Sequence, residues 1–222
     1  MTADGPPANR PPHIAFASGV SAINRLDFAV PAALLLMAAA LTGCDTQPRD
    51  DGQAEPESVV ETEVDSALTY QIDRSHADET APAALFTAPD GKPARLADFR
   101  GKPLVVNLWA TWCAPCIKEM PTLDALAVRE GEAATVLVVS QDLTGEKAVA
   151  PFFAQRKFKR LEPYLDTENA LATALAAQTL PVTVIYDARG IEVARVVGAM
   201  SWDGDRAAGL LDEADKATQT AG

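Results

Sequence analysis

The chain has 222 residues, of which 48% are apolar and 23% are charged, so it is long enough for one globular domain with extensions. Its formal net charge of −12 is unevenly distributed: residues 45–79 carry 11 acidic and 2 basic side chains, whereas residues 80–222 carry 18 and 15. The acidity therefore belongs to a segment before the domain. The domain itself is nearly neutral, and the absence of a basic face argues against nucleic-acid binding.

Residues 1–43 have the organisation of a leader. An apolar run over residues 28–41 follows Arg25 and has the length of a signal-peptide core, shorter than the roughly 20 residues that span a bilayer. The run ends in LTGC, residues 41–44, which resembles the bacterial lipobox, whose cysteine is lipid-modified after cleavage. We therefore expect Cys44 to carry lipid. The alternatives are an uncleaved signal anchor and a buried helix with a stray cysteine.

Either anchor would export the domain and hold it at a membrane. Asp45 follows the lipobox cysteine, and in enterobacterial lipoproteins an aspartate there tends to mean retention at the inner membrane. We therefore expect the domain at the periplasmic face of the inner membrane. Assigning Cys44 to lipid leaves two further cysteines and no odd thiol in an oxidising compartment.

Residues 44–79 are predicted to form a flexible linker that begins at the lipobox cysteine. They are acidic and contain few large apolar side chains, so they cannot bury enough surface to fold alone, and like charges should keep them extended. Some apolar content in residues 59–70 is compatible with a short helix, on which nothing else depends. The folded domain is predicted to begin at Thr80 and to span residues 80–222.

That domain alternates strand and helix patterns, as an α/β fold does. Apolar runs with β-branched residues predict buried strands, and an Asp-Gly pair at residues 90–91 predicts a hairpin turn. The expected fold is a central mixed β-sheet flanked by helices, with an N-terminal β-hairpin extension. The predicted strands span residues 85–87, 94–96, 104–108, 135–140, 181–186 and 191–197, and the predicted helices span residues 96–99, 117–128, 145–158, 169–177 and 205–217.

Cys113 and Cys116 lie between a predicted strand and a predicted helix, the arrangement of a thiol–disulfide redox pair. Unpaired N–H groups at the helix start favour the thiolate of Cys113, and Cys116 lies about one turn away, within reach of a mixed disulfide. Half of a zinc site is an alternative, but structural zinc needs four ligands and the chain has three cysteines and two histidines. A purely structural disulfide is a further alternative, weakened because so short a loop removes little chain entropy.

The segment around these cysteines, residues 105–121 (VVNLWATWCAPCIKEMP), resembles the active site of the thioredoxin superfamily. It is most similar to the TlpA/ResA/CcmG-like branch, membrane-anchored thiol–disulfide proteins of bacteria, and the resemblance extends over residues 81–217. It implies a thioredoxin-like fold in which Cys113 is the nucleophile, Cys116 resolves the mixed disulfide, and the two form a disulfide when oxidised. No cofactor or metal is expected.

The resemblance also assigns a substrate-binding surface. The family has a cis-proline facing the two cysteines, and Pro181 stands where that motif should be; the alternative is a trans-proline that opens an edge strand. The backbone of Leu180 would then pair with an extended substrate segment, and Trp112 would add an exposed contact. Trp109 is expected in the core, and Pro121 is expected to kink the helix that contains it.

Acid–base assistance is assigned by the same resemblance. Thioredoxins place an aspartate in the strand before the motif, but this chain has Asn107, so that route is absent. The TlpA/ResA-like branch has a glutamate three residues after the second cysteine, and Glu119 occupies that position. We expect Glu119 to accept the proton of Cys116, with a pKa raised by partial burial, although a solvent-facing helix glutamate is the alternative.

Ala114 and Pro115 separate the two cysteines, where strongly oxidising relatives have a histidine that stabilises the thiolate. Their presence favours a reductant of disulfides in exported proteins, recharged by a membrane thiol reductant of the DsbD/CcdA type. The resemblance implies either haem-site cysteines of apocytochrome c or copper-site cysteines of cytochrome oxidase as substrates, and the sequence does not choose between them. The alternatives are a thiol oxidant or isomerase, and a redox-inactive adaptor or copper chaperone, although no histidine follows His76 to complete a copper site.

Overall fold

A computed structural model describes residues 61–65, as backbone alone, and residues 68–220. These residues form one nine-stranded sheet in the order β1-β2-β9-β8-β5-β6-β7-β3-β4, together with four α-helices and a short 3-10 helix over Leu96–Phe99. The strands are β1 (Glu61–Asp65), β2 (Leu68–Asp73), β3 (Phe86–Thr87), β4 (Pro93–Ala94), β5 (Leu104–Trp109), β6 (Thr135–Ser140), β7 (Pro163–Leu165), β8 (Val182–Tyr186) and β9 (Glu192–Gly198). The helices are α1 (Ala114–Glu130), α2 (Glu146–Arg156), α3 (Ala170–Ala174) and α4 (Asp205–Thr220).

Strand β5 lies at the centre of the sheet, parallel to β6 and antiparallel to β8, and every residue in it is buried. Because successive side chains of a strand point to opposite faces, β5 contributes to two apolar clusters. Val105 and Trp109 pack with buried residues of α1 and α4, whereas Val106 and Leu108 pack with buried residues of the 3-10 helix and α3. The predicted mixed sheet flanked by helices is confirmed.

The central elements lie close to their predicted bounds. Strand β6 matches its prediction at both ends, and β5, β8 and β9 differ from theirs by one residue. The predicted hairpin is the β3–β4 pair, which joins one edge of the sheet through β7. Strand β7 itself was not predicted, because three residues that begin with a proline give no periodic signal.

The predicted linker is wrong for residues 61–65 and 68–79, and so is the predicted domain start at Thr80. Strands β1 and β2 pair in antiparallel register where a short helix was considered, and β2 pairs with β9, also in antiparallel register. Tyr70 and Ile72 are buried, so two apolar side chains at alternate positions anchor an otherwise polar segment. Gly198 permits this pairing, because its φ is +99° and a Cβ there would overlap the backbone of Thr69.

Three predictions on the N-terminal part remain untested, since the leader, Cys44 and the linker up to residue 60 lie outside the described residues. Among the residues that are described, no helix is both long and apolar enough to cross a bilayer.

Candidate active site

The two cysteines lie where β5 passes into α1. Cys113 is the N-cap of α1, and Pro115 lies in the first turn, where a proline costs no backbone hydrogen bond. Cys113 and Cys116 form a disulfide with a Cα–Cα distance of 5.3 Å. The backbone N–H of Cys116 donates to Cys113 Sγ at 3.3 Å, the contact that an N-cap side chain makes. Cys113 keeps 6% of its surface exposed and Cys116 none, so the first sulfur is the more accessible of the two.

The peptide bond between Leu180 and Pro181 is cis. Leu108 pairs with Val182, so this bond lies at the end of β8 beside the end of β5, next to the loop that carries the cysteines. Leu180 and Trp112 line the same open groove, which has a volume of about 840 Å³. The structure therefore brings together the two residues that the resemblance assigns to substrate contact.

The described lining of that groove carries no charged side chain, and it includes two exposed apolar ones. Trp112 is 70% exposed and Leu143, in the loop after β6, is 72% exposed, although large apolar side chains are usually buried. Trp109, three residues before Trp112, is fully buried in the core, as predicted. Sequence reasoning did not find Leu143, because a single leucine in a polar loop has no periodic signal.

Glu119 is fully buried, so the solvent-facing alternative is wrong and the burial exceeds the partial burial that was predicted. It lies three residues after Cys116 on the same buried face of α1. Its Oε1 accepts a hydrogen bond from Asn107 Nδ2 at 2.8 Å, and its Oε2 accepts from Met200 N at 3.1 Å and from Trp202 Nε1 at 3.2 Å.

Burial raises the pKa of Glu119 to about 7, although the three hydrogen-bond donors lower it in opposition. No ionised side chain of residues 68–220 is among the influences on this pKa. A carboxyl group with a pKa near neutrality can both take up and release a proton under physiological conditions. Glu119 is therefore chemically suited to the proton-accepting role that the sequence predicted.

Asn107 joins Glu119 to β8. Its Nδ2 donates one hydrogen to Glu119 Oε1 and the other to Thr183 Oγ1 at 2.9 Å, whereas its Oδ1 is buried with no hydrogen-bond partner among the described residues. Asn107 occupies the strand position at which thioredoxins have an aspartate. It is not acidic itself, but it hydrogen-bonds to the buried acid Glu119.

Trp202 and Met200 are functional neighbours that sequence reasoning missed. They lie in the connection between β9 and α4, more than 80 residues from Glu119. The backbone N–H of Trp202 also donates to Thr122 Oγ1 at 3.1 Å, so α1 holds this residue through both its backbone and its indole. Contacts at such separation depend on the tertiary fold, and a single tryptophan in a connection gives no local signal.

A further missed residue is Asp142, which is buried in the loop after β6. Its carboxylate accepts hydrogen bonds from the backbone N–H and the hydroxyl of Thr111, at 2.9 and 2.7 Å. Asp142 thereby ties the loop that precedes Trp112 and Cys113 to the neighbouring strand. Pro121 lies inside α1, which continues past it for nine residues, and the predicted kink stays a prediction.

Comparison with known proteins shows which family this chain is similar to. The Redoxin family matches residues 76–211 of the chain. The thiol–disulfide oxidoreductase ResA of Geobacillus thermodenitrificans is 32% identical over 146 residues, which cover 61% of this chain and 82% of the relative.

Two crystal structures are similar as well. A Bacteroides vulgatus protein assigned as a thiol–disulfide oxidoreductase has a TM-score of 0.55 and 27% identity, covering 64% of this chain and 98% of that one. A protein of Chlorobium tepidum, assigned as a thiol:disulfide interchange protein DsbE, has a TM-score of 0.56 at 19% identity and covers 62% of this chain and 96% of its own, a likeness that shows the fold alone. The chain belongs to the Redoxin family, and it is a thioredoxin-like thiol–disulfide oxidoreductase of the TlpA/ResA/CcmG type.

Proposed function

We propose that this oxidoreductase acts as a reductant of disulfides in exported proteins, with Cys113, Cys116 and Glu119 carrying the reaction. The Cys113 thiolate attacks one sulfur of a substrate disulfide, and the other substrate sulfur leaves with the electron pair of the broken bond and is protonated by water. Cys116 then transfers its proton to Glu119 and attacks Cys113 Sγ, which releases the second substrate sulfur as a thiolate. The substrate gains two electrons, and the protein is left with the Cys113–Cys116 disulfide.

The observation that carries this proposal is the buried carboxyl group of Glu119, one helical turn beyond Cys116. A buried thiol has no water to take its proton, so the second half of the exchange needs an internal acceptor. A pKa of about 7 allows Glu119 to take that proton and later to release it. An acceptor of ordinary pKa would hold the proton too weakly.

The direction of electron flow follows from how the Cys113 sulfur is stabilised. Among the described residues, the hydrogen bond to Cys113 Sγ comes from the backbone of Cys116, and neither Ala114 nor Pro115 carries a side-chain donor. A strongly oxidising pair has a high reduction potential because its thiolate is stabilised by more than one backbone hydrogen bond of this kind. The site therefore favours a modest thiolate and a low reduction potential.

The reduction potential of the Cys113–Cys116 pair tests this direction. The full chain, with Cys44→Ser to remove the third thiol, is equilibrated with mixtures of reduced and oxidised dithiothreitol, and free thiols are trapped and counted by mass. We expect a value near that of thioredoxin, about −270 mV, or lower. A value near about −120 mV would make the protein an oxidant and overturn the proposal. Failure to form a reversible pair would leave a redox-inactive adaptor or copper-binding module.

We further propose that lipid on Cys44, or an uncleaved signal anchor, tethers the domain to the periplasmic face of the inner membrane. This rests on the lipobox-like sequence at residues 41–44. The full chain and its Cys44→Ser variant are expressed in a Gram-negative host and fractionated. Lipidation predicts that the wild type is membrane-bound and shifted in mass by its acyl chains, and that the variant loses the shift. A wild type without the shift would exclude the lipid.

The partners are proposed on the same basis. A membrane thiol reductant of the DsbD/CcdA type would return electrons to the Cys113–Cys116 disulfide, and haem-site or copper-site cysteines would be the substrates. The Cys116→Ser variant cannot resolve the mixed disulfide, so each partner should remain covalently attached to Cys113. Mass spectrometry of these adducts identifies the partners. The Cys113→Ser, Cys116→Ser double variant is the matched control, since it should capture none of them.

A further inference from the structure

The two oxygens of Glu119 are not equivalent proton acceptors. Oε2 receives hydrogen bonds from Met200 N and from Trp202 Nε1, so both of its lone pairs are engaged. Oε1 receives one hydrogen bond, from Asn107 Nδ2, and of the three donors to Glu119 this amide is the one that can exchange its donor for an acceptor. A proton that reaches Glu119 is therefore bound at Oε1, on the side of the carboxyl group that faces β5.

Protonation at Oε1 places a hydroxyl donor opposite an amide donor. The present orientation of Asn107, with Nδ2 towards Glu119, suits an ionised carboxylate, which can only accept. Once Oε1 carries a hydrogen, its best partner is an acceptor in the place that Nδ2 occupies. The unpartnered Oδ1 of the same amide is such an acceptor, and it is fully buried.

We propose that the side-chain amide of Asn107 turns by half a revolution when Glu119 takes up a proton, so that Oδ1 replaces Nδ2 between Glu119 and Thr183. In the turned state Oδ1 accepts from the Glu119 hydroxyl and from the Thr183 hydroxyl, which can rotate to donate. The present orientation leaves Oδ1 unpartnered and the turned one leaves the two Nδ2 hydrogens unpartnered, so the turn is favourable only where Oδ1 gains both hydroxyl donors. The protonation state of Glu119 therefore decides which orientation is occupied.

The groups around Glu119 show why Asn107 is the residue that responds to the protonation of this carboxyl group. Helix α1 places the buried Cys116 one turn before Glu119. Strand β5 contributes Asn107, and the β9–α4 connection contributes the Met200 N–H and the Trp202 indole, while Thr183 of β8 contacts Asn107. None of these groups is charged while the disulfide is closed, and no cation or second carboxylate of residues 68–220 influences the Glu119 carboxyl. Asn107 is thus the one amide that can reverse its polarity in response to the proton.

This inference gives Asn107 a positioning role in the reaction, and that role rests on the proposed function. The proton from Cys116 moves to Glu119 Oε1, Cys116 Sγ bonds to Cys113 Sγ, and the turning amide supplies the acceptor that holds the new hydroxyl. The aspartate of thioredoxins takes up a proton itself, whereas Asn107 would donate to Glu119 when that residue is ionised and accept from it when it is protonated. The turn itself needs no substrate and can be measured on the oxidised protein.

The experiment follows the amide by NMR on the oxidised full chain. The chain has four asparagines, so selective side-chain ¹⁵N labelling gives four amide signals, and Asn107→Leu identifies the one that matters. The ¹³C-labelled carboxyl group of Glu119, identified by Glu119→Gln, reports its titration between pH 5 and 9. We expect the Asn107 signals to shift with the same midpoint as the Glu119 carboxyl. We also expect nuclear Overhauser contacts from Nδ2 hydrogens to Thr183 above the midpoint and their loss below it.

The Glu119→Gln variant tests the same inference without a titration. The amide oxygen of the introduced glutamine is held at the place of Oε2 by two donors, so its NH₂ group faces Asn107 and mimics the protonated acid. The contact from Nδ2 to Thr183 should therefore be absent at every pH. Its persistence in this variant, or an unchanged amide while Glu119 titrates in the wild type, would overturn the inference. Neither result depends on the reduction potential, so failure here is distinguishable from failure of the proposed function.

Discussion

Replacing Glu119 with glutamine tests the buried carboxyl group through the stability of the fold. The side chain keeps its size, but it can no longer ionise. Burial raises the pKa of Glu119 from 4.5 to about 7, and about 1.36 kcal/mol accompanies each pKa unit, so ionising this group costs the folded state roughly 3 kcal/mol. This is a large share of the about 5–15 kcal/mol by which domains are stable.

The sign of the pH dependence follows from proton binding. The folded protein holds the Glu119 proton more tightly than the unfolded chain does, so the contribution to stability is fully present below about pH 4.5. It is lost as the pH rises from about 4.5 to about 7, and above that range it no longer changes. The Glu119→Gln variant lacks this term. Its free energy of unfolding relative to wild type should therefore rise by roughly 3 kcal/mol between pH 4 and pH 8.

Urea unfolding of the oxidised full chain, followed by circular dichroism at several pH values, measures this difference. Comparing two pH values cancels any fixed cost of fitting glutamine among the donors. Glu168→Gln is the matched control, because Glu168 is exposed and its replacement should keep the wild-type pH dependence. A Glu119→Gln curve that runs parallel to wild type from pH 4 to pH 8 would refute the reasoning, since it would mean that Glu119 is not buried as a near-neutral acid.

Two further substitutions test the groove and the edge of the sheet. Trp112→Ala should raise KM for a protein disulfide by about 10-fold or more, because exposed tryptophans are frequent anchors of binding, and should leave the rate with a small disulfide within about 2-fold. Val128→Ala, an exposed apolar residue near the far end of α1, should change neither rate, and an equal loss with both substrates would mean that Trp112 acts on the chemistry. Gly198→Ala should lower the free energy of unfolding by about 2 kcal/mol or more, because the new Cβ meets the Thr69 backbone at a positive φ. Gly204→Ala, where a Cβ meets nothing within 4 Å, should be nearly neutral in the same urea experiment, and similar losses in both variants would contradict this account of β2.

The centre of the fold was predictable from local pattern. Strands β5 and β6 are largely apolar runs rich in β-branched residues, as buried strands of an α/β sheet usually are, so the sequence predicted their bounds to within one residue. The position of Pro181 and the choice of Glu119 needed the family resemblance, because a lone proline or a helix glutamate has a common structural explanation. The resemblance supplied the residues but not their environment, since it did not predict the complete burial of Glu119.

The edge of the sheet and the surroundings of the acid were not predictable, for different physical reasons. Strand β2 buries only two apolar side chains, Tyr70 and Ile72, within an acidic segment, so average composition concealed its alternation. Trp202 contacts Glu119 across 83 positions of the sequence, and the contact exists only because the connection after β9 returns to α1. Composition and periodicity describe local preference, and neither contains information about such a pairing.

The pairing of β2 with β9 has a consequence for association between molecules. A domain cut at Thr80 would lose β2, and the backbone N–H and C=O groups of β9 that now bond to it would become an open sheet edge. The exposed strand is rich in β-branched residues, and it continues into the connection that holds Glu119. Two truncated molecules could satisfy those groups by pairing edge to edge, so in the full chain β2 covers an edge of β9 that would otherwise be open to association.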